Sequence, residues 1–247
     1  MSAYPSRGRP LVVGHRGLRE PGAPAENTLA AIEAAAEQGA DGVEIDVRLS
    51  ADGVPVVAHD ETLERLSGGR ERRAVREMRA AELARTPLAG GAAVPPLAEV
   101  LGLCRARGLW LNVELKHDGV ARGALVAATT SLLREPGAAP AVVVSSFDPR
   151  LLARVRLAAP GLPVALLVER RGAWRRRLAL LARPLGAAGV HPHEALVTER
   201  ALAAWRRRGL GVAAWTVNDE ARMRTLAALG VDAIITDHPG RLRALLA

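Results

Sequence analysis

The chain has 247 residues, 49% of them apolar, and carries 34 Lys plus Arg against 26 Asp plus Glu for a net charge of +8. Such a length buries a sizeable core and suits one large domain or two small ones, which excludes a disordered tail, a mini-protein or a fibre. With 4 Trp, 1 Tyr and 1 Phe, stacking platforms are too few for a nucleic-acid binder despite the basic balance.

The first residues, MSAYPSRGRP, lack the apolar stretch of a secretory signal, and the run Leu11 to Val13 is too short to span a bilayer. The lone Cys104 rules out an internal disulfide and a cysteine zinc cluster, so a soluble cytoplasmic protein without stable membrane insertion is expected. Short β-branched runs then alternate with Ala/Leu/Arg helical patterns, the sign of βα units and a parallel sheet. In chain order, a strand at 11–14 precedes a helix at 27–38, 41–48 precedes 97–107, 110–115 precedes 119–134, and 141–145 precedes 148–158. The second half continues with 163–168 and 172–183, 188–191 and 198–208, 211–217 and 219–228, then 232–236 and 239–246. Gly39, Gly108, Gly209 and Gly230 fall just past helix ends, while Thr198 and Asp219 suit N-caps. Eight such units in about 250 residues predict a TIM (β/α)8 barrel, with residues 1–247 as a single domain.

One apolar run, Val54 to Ala58, does not fit the repeat. Only Ser50-Ala51-Asp52-Gly53 separates it from the second strand, and a parallel crossover needs a dozen residues or more, so it turns back as an antiparallel hairpin. It opens a small insertion of about residues 50–96. A four-residue loop would pair Leu49 with Val54 and hence Glu44 with His59, whereas a two-residue Asp-Gly turn would pair Asp46 with His59. Both registers bring an imidazole beside an acidic pair.

Barrel chemistry sits at the C-terminal ends of strands, and polar residues interrupt the apolar runs there. The first strand ends in Gly14-His15-Arg16-Gly17, the second contains Glu44-Ile45-Asp46, and the third reads Asn112-Val113-Glu114-Leu115-Lys116. With period two, Glu44 and Asp46 share one side of their strand, as do Asn112, Glu114 and Lys116. Carboxylates two residues apart on a strand lie about 6 to 7 Å apart, and at an effective dielectric of about 20 they repel by roughly 2 to 3 kcal/mol. Something positive must offset this: a divalent metal held by Glu44, Asp46 and Glu114, or salt bridges from Arg16, Arg48 or Lys116. An all-oxygen donor set suits Mg²⁺ or Ca²⁺ rather than zinc. His15 and His59 are the candidate general acid and base, and Arg16 and Lys116 suit a phosphate oxyanion.

Composition singles out some of the same positions. Lys116 is the only lysine, and asparagine survives only at Asn27, Asn112 and Asn218, so these scarce residues are site candidates. Either Asn27 or Thr28 caps the first helix, Trp215 is a core residue or a wall for substrate, and Ser145-Ser146-Phe147 and Thr236-Asp237-His238-Pro239 end the fourth and eighth strands. His191 and His193 form a His-x-His pair with no evident third ligand.

From Val12 to Pro239 the chain resembles the glycerophosphodiester phosphodiesterase family, through VGHRG, AENT, DGVEIDVRLSADGVPVVAHDETLERLSGG, NVELK, VVVSSFD, VAAWTVND and DAIITDHP in order. Any one of these motifs is weak, and together they are highly specific. The resemblance implies a TIM barrel with a small insertion after the second strand, a divalent metal on Glu44, Asp46 and Glu114, and His15 and His59 as general base and acid. It further implies phosphate contacts from Arg16 and Lys116, packing of Trp215 against substrate, and cleavage of a small glycerophosphodiester to sn-glycerol 3-phosphate and an alcohol. The alternative within enzymes is a lysophospholipase D or phospholipase C-like activity on larger lipids, for which one Phe and one Tyr supply few interfacial anchors. The departures from the family pattern are a short, Arg-rich insertion and the run Arg175-Arg176-Arg177.

Overall fold

The computed structural model describes residues 3–116, 122–135, 141–170 and 182–247. Strands β1 (Leu11–His15), β2 (Gly42–Leu49), β4 (Trp110–Leu115), β5 (Val142–Ser146), β6 (Val164–Val168), β7 (Gly189–Pro192), β8 (Gly211–Ala214) and β9 (Ala233–Thr236) pair in parallel, and β1 closes the ring against both β2 and β9. This is the expected TIM barrel. Around it lie α1 (Leu29–Glu37), α3 (Leu97–Arg107), α4 (Arg122–Arg134), α5 (Pro149–Ala158), α6 (Glu199–Arg206), α7 (Glu220–Leu229) and α8 (Pro239–Leu245), with the one-turn α2 (Ala80–Leu83) in the insertion. The helix expected at 172–183 lies almost wholly outside the described residues.

Capping follows the side chains available. Thr28 caps α1 by accepting from the Ala31 amide, and Asp148, Thr198 and Asp219 cap α5, α6 and α7 in the same way. Helices α3 and α7 stop where Gly108 and Gly230 adopt left-handed backbone, which a side chain would resist.

The hairpin forms, but in neither expected register. Strand β3 (Pro55–Val57) runs antiparallel to β2 with Leu49 opposite Pro55 and Val47 opposite Val57, one residue from both alternatives. The Ser50 hydroxyl is the reason: it accepts from the Val54 amide at 3.0 Å and donates to Asp52 at 2.7 Å, so the turn is built by a side chain as well as by Asp-Gly. Regular pairing ends at Val47, and His59 follows β3 in a bend, its carbonyl accepting from the Arg48 guanidinium at 2.5 and 3.1 Å.

Three apolar clusters divide the core. The largest lies between sheet and helices, a second under the insertion around Leu63, Met78 and Leu83, and the third fills the barrel with Leu11, Val13, Trp110, Val143, Ala165, Ala213, Ala233 and Ile235. Tyr4 plugs the N-terminal end of that interior, against Gly189 and Gly211, where a Cβ would collide with its ring, and its hydroxyl meets His191 Nε2 at 2.8 Å. At the same end Asp41 binds Arg9 at 2.7 Å, Arg243 at 2.8 Å and the Val12 amide at 2.8 Å, joining the start of β2 to β1 and to the last helix. Asp41→Ala is expected to lower stability by about 3 kcal/mol, the lower end for a broken buried pair because the arginines are partly solvated. Urea unfolding measures this, and a change below about 1 kcal/mol would show the hub to be ornamental.

Candidate active site

The C-terminal ends of the barrel strands surround a cavity of about 400 Å³ lined by His15, Arg16, Glu44, Arg48, His59, Asn112, Glu114, Lys116, Phe147, Leu167, Glu169, Trp215 and Ile235. Because β2 and β4 are in register, with Asp46 beside Glu114 and Glu44 beside Asn112, their inward side chains meet across one strand boundary. Carboxylate oxygens of Glu44, Asp46 and Glu114 all lie within 4.8 Å of one another, and all three residues are buried. The period-two expectation is met.

Cations already face this cluster. Arg16 Nε lies 3.2 Å from Asp46, and the Lys116 ammonium lies 3.0 Å from Asp46 and pairs with Glu114. Arg48, the other candidate counter-ion, donates from Nε and Nη2 to the His59 carbonyl. The balance is incomplete. Burial, followed by the charges of Asp46 and Glu114, pushes Glu44 well above the usual carboxylate range, and burial pushes Glu114 up to about 7 although Lys116 opposes it. Burial also acts on Asp46, but Lys116, Arg16 and a hydrogen bond from Asn27 hold its carboxyl far below the ordinary value. Glu44 Oε1 is buried with no hydrogen-bond partner, while Asp46 Oδ1 and Glu114 Oε1 share the single Lys116 ammonium. Three converging hard oxygens with unused lone pairs and excess negative charge fit a divalent cation such as Mg²⁺ or Ca²⁺.

Both histidines are oriented through Nδ1. His15 Nδ1 lies 2.7 Å from Asp237 Oδ1, and His59 Nδ1 lies 2.8 Å from Asp60 Oδ1. Burial works against the charge on Asp237, yet the hydrogen bond from His15 helps hold its carboxyl down at about 2. Asp60 is likewise held below its usual value, against burial, by Arg65 and His59. Ionised carboxylates only accept, and their short contacts favour the proton on each Nδ1 over the one competing donor, Arg19 Nη1 at 3.2 Å from His15 Nδ1, which leaves each Nε2 its lone pair. His15 Nε2 lies 3.9 Å from Glu44. Burial depresses the pKa of both rings, outweighing Asp237 at His15 and Asp46 at His59.

The loop after β1 supplies the support. Arg16 and Asn27 both have left-handed backbone, with φ of 58° and 61°, a strained state for residues with side chains. The Asn27 amide nitrogen donates to the Arg16 carbonyl at 2.9 Å, while its side chain donates to Asp46 Oδ2 at 2.9 Å and accepts from the Asp46 amide at 3.2 Å. Thr28 is therefore the cap and Asn27 a clamp on Asp46. Trp215 donates to the His191 carbonyl at 2.8 Å and packs edge-on against Phe147 at 5.5 Å, presenting the cavity wall. Asn218 donates to Asp237 Oδ2 at 2.7 Å, so all three asparagines lie at or beside the site. His191 and His193 do not act as a pair: His191 is buried against Tyr4, while His193 packs edge-on against Trp215.

Sequence reasoning did not single out Asp60 and Asp237. Asp237 sits just beyond the end of the last barrel strand, where strand-end logic was already pointing, and Asp60 adjoins His59. Arg19 and Arg65 carry no such local signal, because Arg19 reaches Asp237 and Arg65 reaches Glu26 across distant stretches of chain, and Glu26 entered only as part of the AENT motif.

The barrel and the charged cavity at the C-terminal ends of its strands define a TIM-barrel enzyme. Residues 15–241 match the model of the glycerophosphoryl diester phosphodiesterase family, and the chain belongs to that family. A glycerophosphodiester phosphodiesterase of Caldanaerobacter subterraneus subsp. tengcongensis is 31% identical over 94% of this chain and 96% of its own length. An Oleispira antarctica phosphodiesterase, solved in complex with the product sn-glycerol-3-phosphate, superposes with a TM-score of 0.85 at 30% identity, covering 100% of this chain and 99% of the other. A glycerophosphodiester phosphodiesterase from Agrobacterium tumefaciens gives a TM-score of 0.77 at 30% identity, with 94% and 98% covered.

Proposed function

We propose that the protein, acting as a single domain over residues 1–247, hydrolyses small glycerophosphodiesters to sn-glycerol 3-phosphate and an alcohol. The reaction uses a divalent metal, Mg²⁺ or Ca²⁺, held by Glu44, Asp46 and Glu114. The observation that carries this reading is the convergence of those three carboxylates within 4.8 Å, in one cavity with two imidazoles, a guanidinium and an ammonium. A bound divalent cation supplies neutralisation of the carboxylates and polarisation of a phosphoryl oxygen.

The chain's own groups do the rest. Arg16, fixed by its strained backbone and by the hydrogen bond that its backbone N–H donates to the Glu44 carbonyl at 2.8 Å, presents a donor fork to the phosphate. Lys116, whose ammonium lies on Asp46 and Glu114, would offer its charge to a phosphate oxygen. Of the two rings, one takes a proton from the nucleophile at Nε2, and the other, protonated beside the arriving phosphate, gives its proton to the leaving alkoxide. Trp215 and Phe147 form the wall against the glycerol or the alcohol.

A cavity of about 400 Å³ matches a small diester better than a lysolipid, and among the described residues no helix is long and apolar enough to cross a membrane. The single cysteine is buried, in keeping with a cytoplasmic setting. With purified protein, glycerophosphocholine is expected to release glycerol 3-phosphate at least about 100-fold faster, in kcat/KM, than lysophosphatidylcholine releases its headgroup, a gap of some 3 kcal/mol. Equal turnover would favour the larger-lipid activity, and release of neither product would refute the hydrolase.

A further inference from the structure

Glu26 is only 6% exposed, yet no apolar function explains it. Its carboxylate receives three guanidinium groups: Arg16 at 2.9 Å and Arg65 at 2.6 Å on Oε1, and Arg19 at 2.9 Å on Oε2. Two of those arginines continue outward. Arg65 Nε donates to Asp60 Oδ2 at 2.6 Å, and Asp60 holds His59 Nδ1. Arg19 Nη1 donates to Asp237 Oδ1 at 2.9 Å, and Asp237 holds His15 Nδ1. The third arginine, Arg16, reaches Asp46.

We infer that Glu26 is a positioning residue common to both histidines, joined to His15 through Arg19 and Asp237 and to His59 through Arg65 and Asp60. The two arms come from different segments, one from the loop after β1 and the other from the insertion after β2, and among the described residues Glu26 joins them. Without its charge, three guanidinium groups would face one another across a buried gap, and each would swing toward solvent or toward another carboxylate. The carboxylates that fix the ring tautomers would then lose their orientation, as second-shell groups do when their anchor is removed. Burial disfavours the charge on Glu26, but Arg65, Arg16 and Arg19 outweigh it and keep the group ionised.

The inference rests on the reading of His15 and His59 as acid and base, so its test includes a signal independent of turnover. Ring ¹⁵N spectra of the full-length protein, with and without Mg²⁺, assigned through His15→Ala and His59→Ala, report which nitrogen carries each proton. Both rings are expected to be protonated on Nδ1, and Glu26→Gln is expected to populate the other tautomer at both while kcat falls about 10- to 100-fold. Arg65 is half exposed, so Arg65→Met should fold and disturb His59 alone. Arg19→Met should disturb His15 alone, and the double variant should reproduce Glu26→Gln even if that variant folds poorly. Unchanged tautomers in folded Glu26→Gln, or single-arm variants that disturb both rings or neither, would overturn the inference. Activity surviving in His15→Ala with the tautomer response intact would instead sink the acid-base reading and leave the positioning role standing.

Discussion

His15→Ala and His59→Ala are each expected to lower kcat on glycerophosphocholine by about 10²- to 10⁴-fold, the usual worth of a general acid or base. KM should move far less, because Arg16 and Lys116 are the residues proposed to meet the phosphate. Both rings have the same construction, with Nδ1–H on a carboxylate and Nε2 left basic, so the truncations alone do not distinguish their roles. Their settings differ: the His15 side chain is 13% exposed and lies beside Glu44, whereas that of His59 is 32% exposed at the end of the hairpin. A substrate whose leaving group needs no proton, such as a p-nitrophenyl phosphodiester, separates them. It should restore most of the lost rate to the variant lacking the acid and little to the variant lacking the base. Retention of more than about a tenth of wild-type kcat by both variants would remove the histidines from the chemistry, since even a weak general acid or base is worth about 100-fold.

The two sides of this site differed in how far they could be read from the sequence. Glu44, Asp46, Glu114 and Lys116 were legible because strand periodicity is local: alternate residues share a face, and barrel closure then brings adjacent faces together. Capping was legible for the same reason, as at Thr198 and Asp219. The hairpin register was not, because it depends on whether the Ser50 hydroxyl or the Asp-Gly backbone dominates the turn, a balance that pattern rules do not weigh. The supports of the histidines were hidden for a different reason. Asp237 lies 222 residues from His15, and Arg65 lies 39 from Glu26, so each pairing exists only after the barrel closes and the insertion packs. Asn27 shows the boundary between the two kinds of information. Its scarcity marked it as a site candidate, but its clamp on Asp46 required a left-handed backbone that nothing local signalled.

Glu44→Gln is expected to stabilise the metal-free protein while abolishing metal-dependent activity. Two carboxylate charges up to 4.8 Å apart repel by about 3 kcal/mol at an effective dielectric of about 20. Lys116 and Arg16 are directed at Asp46 and Glu114, so Glu44 is the member with the least compensation, in line with its strongly raised pKa. Glutamine keeps the shape and still accepts the bond that the Arg16 amide gives Glu44 Oε2 at 3.1 Å, so the change removes charge without opening a cavity. Metal-free Glu44→Gln should therefore gain about 1 to 3 kcal/mol in urea unfolding, whereas wild type should recover at least as much when Mg²⁺ or Ca²⁺ is added far above its dissociation constant. Activity should follow the opposite order: wild type loses it on chelation and regains it on add-back, while the variant stays inactive at metal concentrations that saturate wild type. If the variant is instead destabilised without metal, and divalent ions leave wild-type stability unchanged, the three carboxylates are held in balance by Lys116 and Arg16 alone, and the proposed metal site falls.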